Sequence, residues 1–333
     1  MSVKRAVGVA VLALSVALLW LVFQPEAAPA PAREFTSSQQ CIACHEQAGA
    51  EWSASWHAQA WNDPDVRALS NDFANSDCID CHAPRPVFET GLGQRVLPRA
   101  SRRAEGVDCI TCHLLPENPD GTGGGVAGTL DDPAAPCRPR ALTDLARPEL
   151  CAPCHDQHKT VEQWRASKWA EQGVDCLDCH MPYRGGDPAR GRDHAMHGAH
   201  ALGLVQRAVV LRARREGARV EVELENVGAG HSFPTDERSR AADLFWRPLA
   251  EAGTSSGPWR HLYRFRSPYR DETELTDTLL PAHATHRTRI EAPEAAGALE
   301  VALFFKLTPY WEDPEHPDPE RECRLVQRVE VGP

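Results

Sequence analysis

The sequence lacks an excess of basic residues. Its 36 Lys and Arg residues are outnumbered by 47 Asp and Glu residues, which gives a formal net charge of −11. A protein surface that binds nucleic acid carries clustered positive charge. The charge balance therefore excludes a nucleic-acid partner, and any function must be sought elsewhere in the sequence.

The stretch from residue 41 to residue 180 lacks the apolar side chains that build a conventional core. Pro, Gly and polar residues fill much of this stretch. Methionine is also scarce, with three residues in the whole chain. Such a segment needs a bulky apolar group other than its own side chains around which to pack.

One apolar run is long, and it lies at the N-terminus. Eighteen residues from Ala6 to Phe23 contain only one polar side chain, and Lys4 and Arg5 precede them. The run is longer than the apolar region of most cleaved signal peptides and is close to the shortest span that crosses a bilayer as a helix. The preceding positive charges keep the N-terminus inside, so the body is exported to the periplasm.

Two interpretations of this leader remain open. Residues 1–33 form either an uncleaved inner-membrane anchor with a Pro/Ala spacer or a cleaved signal peptide. The sequence Ala30-Pro31-Ala32 offers a small-x-small cleavage site for the second. The first would hold the protein at the membrane, and the second would release it as a soluble periplasmic protein.

Cysteine and histidine are abundant, and most of the cysteines follow one pattern. The motif CxxCH occurs as CIACH (41–45), CIDCH (78–82), CITCH (109–113), CAPCH (151–155) and CLDCH (176–180). Random placement of 12 cysteines and 15 histidines would give only about 0.02 such motifs. Five copies therefore indicate a repeated chemical site.

This spacing is typical of covalent haem attachment. The two thiols form thioethers with the haem vinyl groups, and the histidine that follows binds the iron. A redox dithiol, a zinc site or a disulfide framework would not require a histidine after every second cysteine. We therefore predict five haem c groups whose macrocycles form the missing core. The predicted thioether residues are Cys41, Cys44, Cys78, Cys81, Cys109, Cys112, Cys151, Cys154, Cys176 and Cys179. The predicted proximal iron ligands are His45, His82, His113, His155 and His180.

A second imidazole on each iron requires five of the ten remaining histidines. His57 lies in EWSASWHAQAW, a predicted helix after the first motif, and His158 lies three residues beyond a proximal histidine. The run RDHAMHGAH (192–200) supplies His194 first and His200 second, whereas we expect His197 to be a bystander. Met181 and Met196 are poor alternatives, and two imidazoles per iron would give closed haems of low potential.

An internal repeat links two parts of this region. EWSASWHA (51–58) and QWRASKWA (163–170) each follow a CxxCH motif at a similar distance. Trp169 stands where the first copy has His57. The pattern favours a duplicated module of haem motif and helix whose second copy has no ligand.

After about residue 204 the sequence predicts an all-β domain. Alternating apolar and polar runs appear in AVVLRARREGARVEVELENV, LYRFRS, EVALFFKLTPYW and CRLVQRVEV. Period-two alternation between turn residues is typical of antiparallel strands, and about seven of them fit a β-sandwich. We therefore predict a mostly α and irregular, haem-cored cytochrome c domain over residues 34–203, followed by a β-sandwich domain over residues 204–333. His231 lies in the loop ENVGAGHSFPTDERSR between two strands.

These motifs resemble those of the cytochrome c-554-type multihaem cytochromes. WSASWHA after the first motif, EGVDCITCH (105–113) and TVEQWRASKW with GVDCLDCHMP (160–182) carry the resemblance. NVGAGHSFPT (226–235) is similar to a loop of multihaem cytochromes that have a C-terminal β-domain. The resemblance implies that His231 is a distal haem ligand. Asp236 departs from the pattern, which has glycine there.

Two cysteines, Cys137 and Cys323, lie outside the motifs. In an oxidising compartment they could form a disulfide between the haem region and the last strand, provided that their Cα atoms lie within about 7 Å. Free thiols are the alternative.

Three functions fit these features. The first is a periplasmic electron carrier that passes electrons from haem to haem between a membrane or periplasmic donor, such as a quinol-linked complex, and an acceptor. The second is a reductase or dehydrogenase of a small nitrogen or sulfur compound at one open haem. The third is a structural subunit of a conducting cytochrome assembly. No motif carries the lysine found at the catalytic haem of multihaem nitrite reductases, which favours the electron carrier. The acidic surface of the protein suggests that its redox partners are basic.

Overall fold

The structure is a computed structural model that describes residues 34–118, 123–157, 159–235, 239–249, 257–268, 272–292 and 297–333. The predicted leader (1–33), His158 and Asp236 lie outside the described residues. Phe35–Pro333 forms one compact unit. Within the described ranges, no helix is both long and apolar enough to span a bilayer.

The region that carries the motifs consists of short helices joined by turns. The α-helices of the described chain are Gln39–Ile42, Glu46–Ser53, Trp56–Gln59, Pro64–Leu69, Ser76–His82, Val87–Thr90, Cys109–His113, Ala152–His155, Thr160–Arg165, Lys168–Glu171, Cys176–His180, Leu202–Ala208 and Pro319–Glu322. Single 3₁₀ turns lie at Arg103–Glu105, Thr143–Ala146, Pro148–Leu150, Arg184–Gly186 and Pro188–Arg190. Two three-residue strands, β1 (Val126–Gly128) and β2 (Pro139–Ala141), pair in parallel.

The C-terminal region is built from two antiparallel sheets. Its strands are β3 (Val209–Glu216), β4 (Arg219–Asn226), β5 (Ala241–Pro248), β6 (Arg260–Phe265), β7 (Thr285–Glu291), β8 (Leu299–Lys306) and β9 (Arg324–Val331). One sheet has the order β3-β4-β7 and the other β6-β5-β8-β9. The helix Leu202–Ala208 runs directly into β3, so the domain boundary predicted at residue 203 falls at the start of this helix.

Buried and exposed residues alternate along β4 but not along β5 and β8, the central strands of the larger sheet. Along β4, buried and part-exposed residues alternate, because one face packs into the sandwich. Every residue of β8 is buried, and so are the first five of β5. Trp259 and Trp311 pack on Phe245, Ala302 and Phe304 and cover the outer face of this sheet. EVALFFKL therefore forms an antiparallel strand as predicted, but its residues do not alternate between core and solvent.

The main hydrophobic core lies inside the sandwich. It runs from Val205 in the last helix before β3 to Val331 at the end of β9. The described residues of the motif region contain one small buried apolar cluster, formed by Phe73, Ile79 and Ala83. This distribution agrees with the expectation that residues 41–180 have little conventional core of their own.

Candidate haem-binding site

Four of the five CxxCH motifs lie mainly on a single helical turn. CITCH forms the helix Cys109–His113 and CLDCH the helix Cys176–His180. Residues i, i+3 and i+4 of a helix share one face, so both thiols and the imidazole of each motif point the same way. Haem attachment requires this arrangement.

Aspartates fix the starts of two of these turns. Asp108 and Asp175 each immediately precede the first cysteine of a motif, and each forms a capping box with the third helical residue. The carboxylate of Asp108 is fully buried and lies 3.3 Å from Arg102 Nη1. Burial raises the pKa of Asp108 even though Arg99 and Arg102 lie beside it. The cap therefore anchors the third motif in the interior.

Backbone carbonyls orient three of the proximal imidazoles. Nδ1 of His82 lies 2.7 Å from Ala60 O, and Nδ1 of His113 lies 2.8 Å from Ala127 O. Nδ1 of His180 lies 2.5 Å from the carbonyl oxygen of His197. A carbonyl accepts only from a protonated Nδ1, so each ring has the tautomer whose Nε2 lone pair is free for a metal.

Three proximal imidazoles face a second imidazole from a distant part of the chain. The ring centroids of His113 and His194 lie 6.3 Å apart at an interplanar angle of 29°. Those of His180 and His231 lie 6.2 Å apart at 17°. Those of His155 and His57 lie 6.0 Å apart at 47°.

These distances match the space that one metal ion requires. Each metal–nitrogen bond to imidazole is about 2 Å, so two rings on opposite sides of one ion have centroids roughly 6 Å apart. Rotation of a ring about its metal–nitrogen bond changes the interplanar angle but not this distance. The residues present therefore fit three irons with an imidazole on each side.

Burial keeps the second imidazoles in the neutral form that a metal requires. The pKa of His57 falls to about 3, because the ring is buried and lies near His155 and His180. Burial lowers the pKa of His231 to about 4 against the opposing effect of its hydrogen bond to Ser232 O. The pKa of His194 is also lowered, chiefly by burial. Neutral imidazoles bind metal without first releasing a proton.

An ion pair places the backbone of His194. Nε and Nη2 of Arg184 each lie 2.6 Å from an oxygen of Glu51, and one of these oxygens accepts a hydrogen bond from His194 N at 2.9 Å. The hydrogen bonds from Arg184 are the main cause that lowers the pKa of Glu51 to about 2. Nδ1 of His194 donates to Arg192 O at 2.9 Å, which leaves its Nε2 available.

His231 reaches the motif region from the loop after β4. Nδ2 of Asn226 donates to His231 O at 2.9 Å and to Leu280 O at 3.2 Å, so the fully buried Asn226 fixes the loop. Nδ1 of His231 lies 3.0 Å from Ser232 O. The loop thus carries an imidazole from the sandwich to the fifth motif.

His200, another predicted second ligand, lies against a tryptophan ring. The ring of His200 stacks on Trp56 with 3.7 Å between centroids, and burial lowers its pKa to about 4. Its Nδ1 is buried and has no hydrogen-bond partner in the described chain. His158 is outside the described residues. Within those residues, no second imidazole is recorded opposite His45 or His82.

Contacts between cysteines join the five motifs into one set. Cysteines of different motifs lie close together: Cys41 lies beside Cys109, Cys81 beside Cys154, and Cys151 beside Cys176. Cys112 lies within electrostatic reach of Cys151 and Cys154. The first motif therefore adjoins the third, and the fourth adjoins the second, third and fifth.

Cys137 and Cys323 are both free and lie in different surroundings. Cys137 is near Cys41 of the first motif. Cys323 packs with Phe245 and Phe304 on the outer face of the larger sheet. The structure therefore has no disulfide between them.

Sequence reasoning missed the residues that position the imidazoles. Glu51 and Arg184 carry no motif, and the carbonyls of Ala60 and Ala127 carry no side-chain signal at all. The internal repeat at 51–58 and 163–170 was the available pointer to Glu51, which lies on its first helix.

Comparisons with known proteins bear on this geometry. Residues 40–114, which include the first three motifs and His57, match the family model described as cytochrome c554 and c-prime. The structure is similar to the crystal structure of a penta-heme cytochrome c552 from Thermochromatium tepidum, with a TM-score of 0.66, 19% identity, and coverage of 90% of this chain and 99% of that chain.

More distant similarities are confined to part of the chain. A superoxide reductase from Nanoarchaeum equitans has a TM-score of 0.20 and 14% identity, over 38% of this chain and 93% of that chain. No curated protein matches the sequence. The resemblance to cytochrome c-554-type multihaem cytochromes is confirmed by the family match over residues 40–114 and by a fold similar to that of a penta-haem cytochrome c.

Proposed function

We propose that this protein is a periplasmic pentahaem c-type cytochrome that carries electrons between a membrane-linked or periplasmic donor and an acceptor. The family match and the similar fold support a multihaem c-type cytochrome with covalently bound haem c and an electron-transfer role. The number five comes from the five CxxCH motifs, and the compartment comes from the apolar leader after Lys4 and Arg5.

The observation that carries the proposal is the three imidazole pairs at metal-spanning distance. We assign His57 as the partner of His155, His194 as the partner of His113, and His231 as the partner of His180. His158 and His200 remain predicted ligands for the other two irons. An iron with an imidazole on each side has no position open to substrate, which suits a carrier rather than an enzyme.

The residues of the chain hold and tune the group. When bound, each haem supplies a one-electron couple whose potential depends on its axial ligands and surroundings. Carbonyl acceptors set the tautomers of His82, His113 and His180. Contacts between motifs keep all five attachment sites together, so every site has a neighbour to which an electron can pass.

The charge of the chain suggests the type of partner. A net charge of −11 becomes more negative with the haem propionates, and such a surface attracts a basic redox protein. If the predicted anchor over residues 6–23 is retained, the protein is held beside quinol-linked membrane complexes.

Mass spectrometry and electron paramagnetic resonance test the proposal together. The mature protein, produced in a host that matures c-type cytochromes, should carry five haem adducts. The oxidised protein should show low-spin signals typical of two imidazoles per iron. Fewer than five adducts would overturn the pentahaem assignment. A high-spin signal that shifts when nitrite or hydroxylamine is added would overturn the carrier in favour of an enzyme.

A further inference from the structure

The two copies of the sequence repeat have the same local structure. Trp52 Nε1 donates to Val107 O at 2.8 Å, and Trp164 Nε1 donates to Val174 O at 3.0 Å. Each valine lies two residues before the first cysteine of a motif. The first copy is therefore hydrogen-bonded to the start of the third motif, and the second copy to the start of the fifth motif.

A second hydrogen bond shows that His57 and Trp169 occupy equivalent places. Val107 N donates to His57 O at 2.9 Å, and Val174 N donates to Trp169 O at 2.9 Å. The side chain of His57 faces His155 across the width of one metal ion. An indole cannot bind a metal ion as an imidazole does, so the ring of Trp169 has a different role in the second copy.

The ring of Trp169 packs against the loop that carries His231. A Cβ atom on Gly230 would lie 3.0 Å from Cδ1 of Trp164 and 3.4 Å from Cδ1 of Trp169. The backbone of the loop thus rests directly on the two indoles, and a side chain at this position would be crowded by them although the φ angle of Gly230 is ordinary.

Hydrogen bonds fix the loop on the same helices. Ser232 N donates to Gln163 Oε1 at 3.0 Å, and the hydroxyls of Thr160 and Thr235 lie 2.9 Å apart. Lys168 N donates to Nε2 of His283 at 3.2 Å, which adds a contact from the turn before β7. The helix Thr160–Arg165 therefore holds the loop after His231, and the helix Lys168–Glu171 holds the turn before β7.

We infer that the second copy of the repeat is a docking platform, in which Trp164 and Trp169 seat Gly230 so that His231 stands opposite His180. Trp169 and Gly230 are positioning residues for the second ligand of the fifth haem and do not touch the iron. The inference rests on the proposed assignment of His231 as that ligand. It explains why a tryptophan occupies the place where the first copy carries a ligand.

The test is the spin state of the haems in single variants of the holoprotein. In G230V the added methyl groups meet both indoles, so His231 should leave its place and one low-spin haem per molecule should become high-spin. G230A should give a smaller high-spin fraction. W169A should give the high-spin haem as well, whereas W169F, which keeps a flat aromatic ring, should stay low-spin. W169F breaks no hydrogen bond within the described chain, because the indole N–H of Trp169 has no partner there.

Controls separate the platform from the ligand assignment. G332V adds the same side chain at a glycine with no atom within 4 Å of its Cβ position, so it should leave the spectrum unchanged. H231A should produce one high-spin haem. If H231A does so but G230V and W169A do not, the platform is wrong and the ligand assignment stands. If H231A leaves all haems low-spin, the assignment of His231 itself is wrong. Five haem adducts in each variant confirm that it has matured.

Discussion

Arg184 and Glu51 form a two-point ion pair between the helix that follows the first motif and the turn that follows the fifth. Both Arg184–Glu51 nitrogen–oxygen distances are 2.6 Å, and the side chains are only 13% and 18% exposed. The pair also holds the backbone N–H of His194. One ion pair thus connects the ends of the motif region and places His194, the proposed partner of His113.

Removal of the charge at Glu51 should destabilise the protein. E51Q loses charge-assisted hydrogen bonds to Arg184 and His194, so we expect the free energy of unfolding to fall by about 2 kcal/mol. Guanidinium unfolding of the holoprotein measures this change. E46Q removes an exposed carboxylate from the same helix and should change the free energy by less than about 0.5 kcal/mol. Equal stability of E51Q and E46Q would show that the pair contributes little.

His194 and His197 should respond differently to alanine substitution. H194A removes the imidazole that faces His113, so one haem per molecule should change from low-spin to high-spin. The ring of His197 is hydrogen-bonded to Asp193 at 3.0 Å, and His197 contacts His180 through its backbone N–H and carbonyl. H197A should therefore leave the spin states unchanged. Electron paramagnetic resonance measures both variants, and a high-spin haem in H197A would contradict the assignment.

The buried carboxylate of Asp243 should give the sandwich a stability that depends on pH. Burial by itself would raise the pKa of Asp243, but hydrogen bonds from His261 and Arg264 outweigh it, and the pKa lies below its ordinary value. Its contribution is therefore present above the unfolded-state pKa of about 4 and is lost as the pH falls through the lower folded-state pKa.

The substitution D243N tests this dependence. At pH 7 it leaves Arg264 with a neutral partner, so the free energy of unfolding should fall by about 3 kcal/mol. The difference from wild type should shrink as the pH falls below about 4. E330Q, an exposed carboxylate on β9, is the matched control and should show little effect at either pH. A difference that stays constant between pH 7 and pH 3 would contradict the assigned role.

The two cysteines outside the motifs should react at different rates in the native protein. Burial raises the pKa of Cys323 to about 12, so its reactive thiolate is scarce near neutral pH. Iodoacetamide without reductant should label Cys137 at least about tenfold faster than Cys323. After unfolding, both should be labelled. Failure to label either thiol in the unfolded, unreduced protein would instead indicate a disulfide.

Local sequence patterns predicted some strands and missed others, and β8 was predicted although all of its residues are buried. The hairpin of β3 and β4 was predicted because β4 alternates between core and solvent. β5 was missed because AADLFWRP is buried on both faces over its first five residues and does not alternate. β7 was missed because THRTRIE has one buried side chain, Ile290, and is otherwise polar. Trp259 and Trp311 cover the outer face of the larger sheet. Because these residues are distant in sequence from β5, the local pattern of β5 does not predict that this face is buried.

The sequence by itself determined the attachment chemistry, because the two thiols and the imidazole of a CxxCH motif lie within one helical turn. It also predicted most of the strands after residue 208, since alternation of apolar and polar residues along a strand is local. Only the tertiary structure decided which imidazoles face each other: His57 with His155, His194 with His113, and His231 with His180. Those pairs join residues far apart in sequence, and their distances depend on packing between helices, turns and a β-loop. Spacing along a single chain does not fix that packing.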